Sequence, residues 1–211
     1  MAIDLLHDGP EDAAARLVLA HGAGAPMRSA FMQQMAEALG ARGVRVTRFE
    51  FPYMQARRYG GRGGGPDPKP VLLDTYREVI ALIGGTASTP LFIGGKSMGG
   101  RMASMIADDV GVRGLVCLGY PFHPAGKPAQ TRVAHLKDLK TPALIVQGTR
   151  DALGSFDDVA GYALSPSIRV AWIEGGDHSF APLKRSGRTE AQAMQEAIDV
   201  VASFVLGGRE R

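Results

Sequence analysis

Short apolar runs alternate along the chain with longer stretches of helical period. Leu17–Ala20, Val44–Phe49, Leu91–Ile93, Leu115–Leu118, Ala143–Val146 and Val170–Ile173 are the strand candidates. Between them, Ala30–Arg42, Pro70–Ile83, Met98–Asp108, Phe156–Leu164 and Thr189–Phe204 place apolar residues at i, i+3 and i+4, the spacing of a helix with one buried face. Strands that alternate with helices in this way build a largely parallel sheet covered on both sides. The pattern therefore predicts an α/β fold in three layers.

One stretch breaks the alternation. Tyr53–Pro70, YMQARRYGGRGGGPDPKP, is too dense in glycine and proline for a regular element and reads as a long mobile loop, either covering a site at the sheet edge or without a role. The final Gly207-Gly-Arg-Glu-Arg211 reads as a frayed tail. No repeat and no second apolar core is visible, so residues 1–211 are expected to form a single domain.

Composition narrows the function classes. With 45% hydrophobic residues in 211, the chain has enough apolar surface for one sizeable core. The 24 Lys and Arg against 21 Asp and Glu leave a formal charge of only +3, and most basic residues are dispersed, so no nucleic-acid partner is expected. The N-terminal MAIDLLH lacks a positive segment followed by an apolar one, and no run approaches the ~18 apolar residues of a membrane span. A cytoplasmic location without membrane attachment is the expectation. Cys117 is the only cysteine, which excludes an internal disulfide, and its setting in Leu115-Val-Cys-Leu118 is that of a small buried hydrophobe.

The chemistry is concentrated in LFIGGKSMGGR, residues 91–101. A phosphate loop needs Gly, four residues, then Gly-Lys-Ser, and Pro90 stands where the first glycine belongs. A dinucleotide fingerprint fails at His21-Gly-Ala-Gly-Ala-Pro-Met27, where Met27 takes the third glycine's place. No nucleotide, other cofactor or metal is therefore expected. Gly95-Lys-Ser-Met-Gly99 does match G-x-S-x-G between a strand and a helix, the context in which a strained turn exposes a serine hydroxyl above the sheet.

A serine becomes a nucleophile only when an imidazole takes its proton and a carboxylate orients that imidazole. His178, in the loop Glu174-Gly-Gly-Asp-His-Ser-Phe180 after the last strand, lies at the same sheet end as Ser97 and is the candidate base. Asp151, reached from the strand Ala143–Val146 through Gln147-Gly-Thr-Arg, is the candidate acid. Asp177 is a poor orienter because adjacent side chains of an extended loop point apart. Asp157 and Asp158 suit the first turn of the next helix. Among the other histidines, His21 shapes a turn, His123 in Pro121-Phe-His-Pro-Ala-Gly126 sits on a pocket-edge loop, and His7 and His135 read as surface residues.

An oxyanion hole takes one donor from the residue after the nucleophile, Met98, and a second from an earlier strand-end loop, for which Ala23 between Gly22 and Gly24 is the choice. Gly22, Gly24, Tyr53, Arg101 and His123 are candidate substrate contacts. Lys96 and Arg101 flank the serine, and Arg57, Arg58, Arg62 and Lys69 populate the glycine-rich stretch. They are either an ordinary solvated surface or a set that receives an anionic substrate group.

The order Ser97, Asp151, His178 and the stretches LAHGAGAPMRSAFM, FEFPYM, GGKSMGGRMAS, GYPFHPAGKP, LIVQGTRDALG and GGDHSF resemble the α/β-hydrolase superfamily over nearly the whole chain. More narrowly, they are similar to small bacterial hydrolases related to testis-expressed protein 30 and to the hydrolase-like domain of the KAT8 regulatory complex subunit 3. The resemblance implies an eight-stranded type of sheet, trimmed at its first strands. It also implies a Ser97–His178–Asp151 triad and no large cap domain, since only Tyr120–Thr141 is available to build one. The expected activity is hydrolysis of an ester or thioester of a small-molecule acyl substrate, of the carboxylesterase type. A catalytically idle interaction module is the alternative. Neither the acyl group nor the oligomeric state follows from these residues.

Overall fold

Alternation within the strands decides the layering. In β2 (Ala15–Ala20), Leu17 and Leu19 belong to one apolar cluster while Val18 and Ala20 belong to another. In β5 (Gly114–Leu118), Leu115 and Cys117 face the second cluster, and Val116 and Leu118 the first. A period of two with both phases apolar requires cover on both faces. One face receives α1 (Ala30–Gly40) and α6 (Glu190–Leu206), through Met32, Met35, Leu39, Ala197, Ile198 and Val201. The other receives α3 (Lys69–Ile83) and α4 (Met98–Ser104), through Tyr76, Val79, Met102 and Ala103. The computed structural model describes residues 3–61, 64–84 and 89–207 in these terms.

The remaining strands are β1 (Leu5–Asp8), β3 (Val44–Phe49), β4 (Leu91–Lys96), β6 (Ala143–Gly148) and β7 (Ile168–Ile173). Seven strands run in the order β1-β3-β2-β4-β5-β6-β7, all parallel except β1, which pairs antiparallel with β3 along one edge. The chain leaves β2 through α1 to reach β3 on one side, and β4 then takes the opposite flank of β2. At such a reversal the loops leaving the two central strands turn away from each other and open a crevice at their C-terminal ends. The loop after β2 begins at His21, and the residue after β4 is Ser97.

β1 gives no signal in the sequence pattern, because Leu-Leu-His-Asp is short, half-exposed and without alternation. β4 runs on through Gly94-Gly95-Lys96, three residues past the apolar run, since its pairing with β2 and β5 uses backbone groups that glycine supplies as well as any residue. Two helices are shorter than their apolar period. After Ser104 the chain tightens into i to i−3 bonds, Met105 to Met102 and Ile106 to Ala103. α5 (Phe156–Ala160) ends at Gly161 and is started by a capping box of Ser155 and Asp158, which places Asp157 and Asp158 in its first turn.

The stretch Tyr53–Pro70 is not one loop, which corrects that expectation. Its first six residues complete α2 (Pro52–Arg58), and Lys69-Pro70 open α3. Pro52 at the first helical position is preorganised for a helix start, and the Asp67 carboxylate accepts the Tyr53 N–H at 2.8 Å, satisfying a donor that the helix leaves open. Arg57 lies over the Tyr53 ring at 5.2 Å, and Arg58 pairs with Asp4 and with the buried Glu50. Arg62 falls outside the described residues, as do 208–211 of the expected tail.

Candidate active site

The elbow is built by what glycine leaves out. A Cβ on Gly95 would stand 2.4 Å from Ala20 O, and one on Gly99 would stand 2.4 Å from Ala20 O and 2.7 Å from His21 O. Only with both side chains absent does α4 start this close to β2. Ser97 between them adopts φ 52°, ψ −115°, a region that costs a residue with a side chain about 1–3 kcal/mol and is held here by Ser97 N–H donating to Leu118 O at 3.0 Å. From below, the buried Tyr76 hydroxyl lies 2.5 Å from Gly94 O and 3.0 Å from Val18 O, and it accepts Gly94 N–H at 2.9 Å, joining β4 to β2 just beneath the turn. Nothing in the sequence pattern distinguishes this tyrosine from an ordinary core residue.

His178 and Asp151 meet across the ends of β6 and β7. His178 Nδ1 lies 2.7 Å from Asp151 Oδ2, the carboxylate fully buried and the imidazole about a third exposed. Asp151 is held in turn: Oδ2 accepts from Gln147 Nε2 and Oδ1 from Leu153 N–H, both at 2.8 Å. With its carboxylate thus fixed, the Nδ1–H of His178 donates and Nε2 is left as the acceptor that a base requires. Gln147, at the end of β6, also accepts Tyr120 N–H at 2.7 Å, so one buried amide aligns two segments of the site. It was readable in the sequence only as a polar residue interrupting an apolar strand.

Ser97, His178, Lys96, Gly22, Ala23, Gly24, Phe31 and Met32 line one cleft of about 290 Å³. Among the described residues no hydrogen bond joins Ser97 Oγ to His178. Such contacts are commonly loose without substrate and close when it binds. Gly22 comes close to the nucleophile: a Cβ there would be 3.6 Å from Ser97 Cβ. Among the described residues the Ala23 N–H donates to no backbone carbonyl, and Met98 N–H, at the first turn of α4, has no intrahelical acceptor.

The strand-end loop carrying Ala23 is fixed by two side chains, His21 and Tyr53. His21 accepts Phe51 N–H at Nε2 (3.1 Å), so its Nδ1–H is the donor to Gly22 O at 2.6 Å. Burial drives its pKa down to about 4, and it stays a neutral structural residue. Tyr53 donates its hydroxyl to Ala23 O at 2.9 Å, and burial raises its pKa to about 12. Tyr53 therefore shapes this loop and faces a different cavity, lined by Glu50, Gln55 and Asp67.

His123, expected at a pocket edge, is corrected by the structure. It is 3% exposed, with Nδ1 on Pro124 O at 2.9 Å and Nε2 at 3.3 Å from Asp158, a link between the loop after β5 and α5. His135 is not a plain surface residue either, since its Nε2 lies 2.8 Å from Ser104 Oγ. That second serine–histidine pair has the wrong polarity for nucleophilic chemistry: the buried Ser104 donates to Arg101 O at 2.8 Å and so accepts from His135. Asp177 binds its own loop through Ser179 and Ala181 N–H. Cys117 is fully buried, which raises its pKa and leaves it an inert thiol.

Lys96 is the unexpected member of the site. It is 9% exposed, and its ammonium donates to the backbone carbonyl of His178 at 2.7 Å while lying 5.4 Å from the Phe31 ring centre. Burial lowers its pKa to about 8, against the raising influence of Asp151 and Asp177.

Residues 13–206 match a family model described as an alpha/beta hydrolase domain. An alpha-beta serine hydrolase homologue from Coxiella burnetii superposes with a TM-score of 0.70 at 18% identity, covering 96% of this chain and 91% of that one. A lidless a/b serine hydrolase from Xanthomonas campestris gives 0.68 at 19% identity, covering 96% and 89%. Est1E from Butyrivibrio proteoclasticus, with ferulic acid bound, gives 0.70 at 17% identity, covering 98% and 95%.

Proposed function

The chain belongs to the alpha/beta-hydrolase domain family, and on that premise we propose that it is a serine hydrolase acting on a carboxylic ester or thioester through an acyl-enzyme. The observation that carries this reading is the His178 Nδ1 to Asp151 Oδ2 contact of 2.7 Å on an imidazole that shares one cleft with a strained, glycine-flanked Ser97. Ser97 Oγ attacks the carbonyl carbon while His178 Nε2 takes its proton. Asp151 holds the imidazole and stabilises its charged form. The oxyanion that forms receives the N–H groups of Met98 and Ala23, backbone donors of the kind that need no reorganisation during the reaction. His178 then protonates the leaving alcohol or thiol, and water repeats the sequence on the acyl-enzyme. Similarity to a solved serine hydrolase homologue and a solved esterase domain supports the reaction class.

A fluorophosphonate probe tests the reading directly. Covalent labelling of the wild type at Ser97, absent in Ser97→Ala, is the expected result. A folded wild-type protein that remains unlabelled, and that hydrolyses no p-nitrophenyl ester, would instead fit an interaction module.

A further inference from the structure

Arg101 lies one turn along α4 from Ser97 and is not among the residues that line the Ser97 cleft. A group of polar side chains with defined geometry lies at the other end of the sheet. In the parallel pairing of β2 with β3, Arg16 stands directly opposite Arg45, and in the antiparallel pairing of β1 with β3, His7 stands directly opposite Thr47. Direct partners share a face of the sheet, and here it is the face of Val18 and Phe49, the one that α3 covers. Arg16 also pairs with Leu91, the first residue of β4, whereas Ser97 follows the last. The length of that strand, about 17 Å, therefore separates the two places.

The four side chains line one cavity of about 400 Å³, bounded on the α3 side by Leu82 and Ile83. Each of them is fixed by a hydrogen bond. Arg16 Nη1–H donates to Ile83 O at 2.9 Å, Arg45 Nη1–H donates to Gly9 O at 2.5 Å, and His7 Nδ1 lies 3.0 Å from Thr47 Oγ1. Among the described residues, the rest of both guanidinium forks has no hydrogen-bond acceptor. The one carboxylate in the lining is Glu11, whose side chain is 94% exposed and stands 4.0 Å from Arg45 Nη2. Like charges directly opposite each other on neighbouring strands destabilise a sheet. Among the described strands, Arg16 with Arg45 is the only pair of direct partners in which both residues are basic. An oxyanion between the two forks removes that repulsion and satisfies the open donors, and the guanidinium fork matches it in shape. Burial first, and the Arg45 charge second, hold the His7 pKa below its ordinary value against Asp8 and Glu11, so the imidazole registers the same field.

We propose that Arg16, Arg45 and His7 form an oxyanion-binding site, remote from the Ser97 cleft, that receives the phosphate or carboxylate of a small molecule. The cavity has the volume of a small-molecule cleft and exceeds the needs of a bare ion. Leu82, 62% exposed, gives the rest of such a ligand an apolar surface beside the arginines. The site stands whether or not Ser97 is the nucleophile.

Calorimetry with inorganic phosphate and with glutarate, at fixed ionic strength, tests the site in the wild type, Arg16→Met, Arg45→Met and Glu11→Gln. The expected result is binding of at least one anion by the wild type, weakened about tenfold or more in each arginine variant. Glu11→Gln should bind about two- to fivefold more tightly, because the carboxylate that competes for Arg45 is gone. The anion that binds more tightly identifies the group. In a parallel NMR titration, His7 should take up its proton at higher pH when the anion is bound, since the anion offsets the Arg45 charge. Circular dichroism checks the fold of each variant. No binding by the wild type, or binding that neither arginine substitution weakens, overturns the site. Should neither arginine variant fold, unchanged binding in Glu11→Gln together with an unmoved His7 titration overturns it equally.

Discussion

The ammonium of Lys96, the residue before the nucleophile, donates to the backbone carbonyl of His178, the base, at 2.7 Å. One side chain thereby ties the strand that carries the serine to the loop that carries the imidazole, two segments 82 residues apart in sequence. An imidazole displaced by about 1 Å can lose a hundredfold in rate.

Replacing Lys96 with methionine keeps much of the volume and removes the tether. The expected outcome is a fall in kcat of about tenfold to a hundredfold with KM changed less. The pH behaviour separates positioning from simple packing. Burial depresses this lysine to about pKa 8 in the folded protein, from an ordinary value of 10.5. Below pH 8 both folded and unfolded chains carry the charge, so the full cost of burying it is present. Between pH 8 and 10.5 the unfolded chain binds more protons, so the group's contribution makes the protein more stable as pH rises. Lys96→Met is therefore expected to be no less stable than the wild type at pH 7, while the wild type alone shows an alkaline decline in kcat near pH 8. Thermal melts and a kcat–pH profile of both proteins check this.

Ser97→Ala and Asp151→Asn each should reduce kcat/KM by about 10³-fold or more, because the three groups act as a unit and the amide no longer selects the donor tautomer of His178 Nδ1. The effects should be far from additive in the double variant, and circular dichroism should show an unchanged fold. Near-wild-type turnover in either single variant would contradict the assigned roles.

Gly99→Ala tests the elbow by packing alone. The new methyl would meet Ala20 O at 2.4 Å and His21 O at 2.7 Å, both backbone atoms that cannot rotate away. Loss of about 1–3 kcal/mol of stability, read as a lower midpoint in urea, is expected together with loss of activity.

Tyr53→Phe removes the hydroxyl that donates to Ala23 O at 2.9 Å and leaves the ring in place. A stability change of about 1 kcal/mol is expected, the net worth of one hydrogen bond. Because Ala23 is the assigned second oxyanion donor, kcat should fall several-fold while KM for a neutral ester moves little. Steady-state kinetics at two ester chain lengths would show whether the effect follows the transition state.

Much of the architecture was legible in residue order. The apolar-rich runs from Leu17 to Ile173 marked six of the seven strands, including β3, which carries Arg45, Thr47 and Arg48, and the partly buried edge strand β7. Strand β1 escaped because Leu-Leu-His-Asp is short, half-exposed and without alternation. Helix α2 escaped because the glycines after Tyr59 outweighed Pro52, although that proline is itself a helix-start signal.

The sequence by itself determined the parallel sheet, the glycine-flanked serine, and the chain order Ser97, Asp151, His178, because burial and steric exclusion act on residue type and spacing. Tertiary structure alone decided who touches whom. It turned His123 away to Asp158, put Tyr53 against Ala23 and Gln147 behind Asp151, and aimed Lys96 at His178. Hydrogen bonds and charge pairs fall off over a few ångströms, and the residues that make them lie tens of positions apart. Their energies are set by the packing of strands and helices, which no local pattern records.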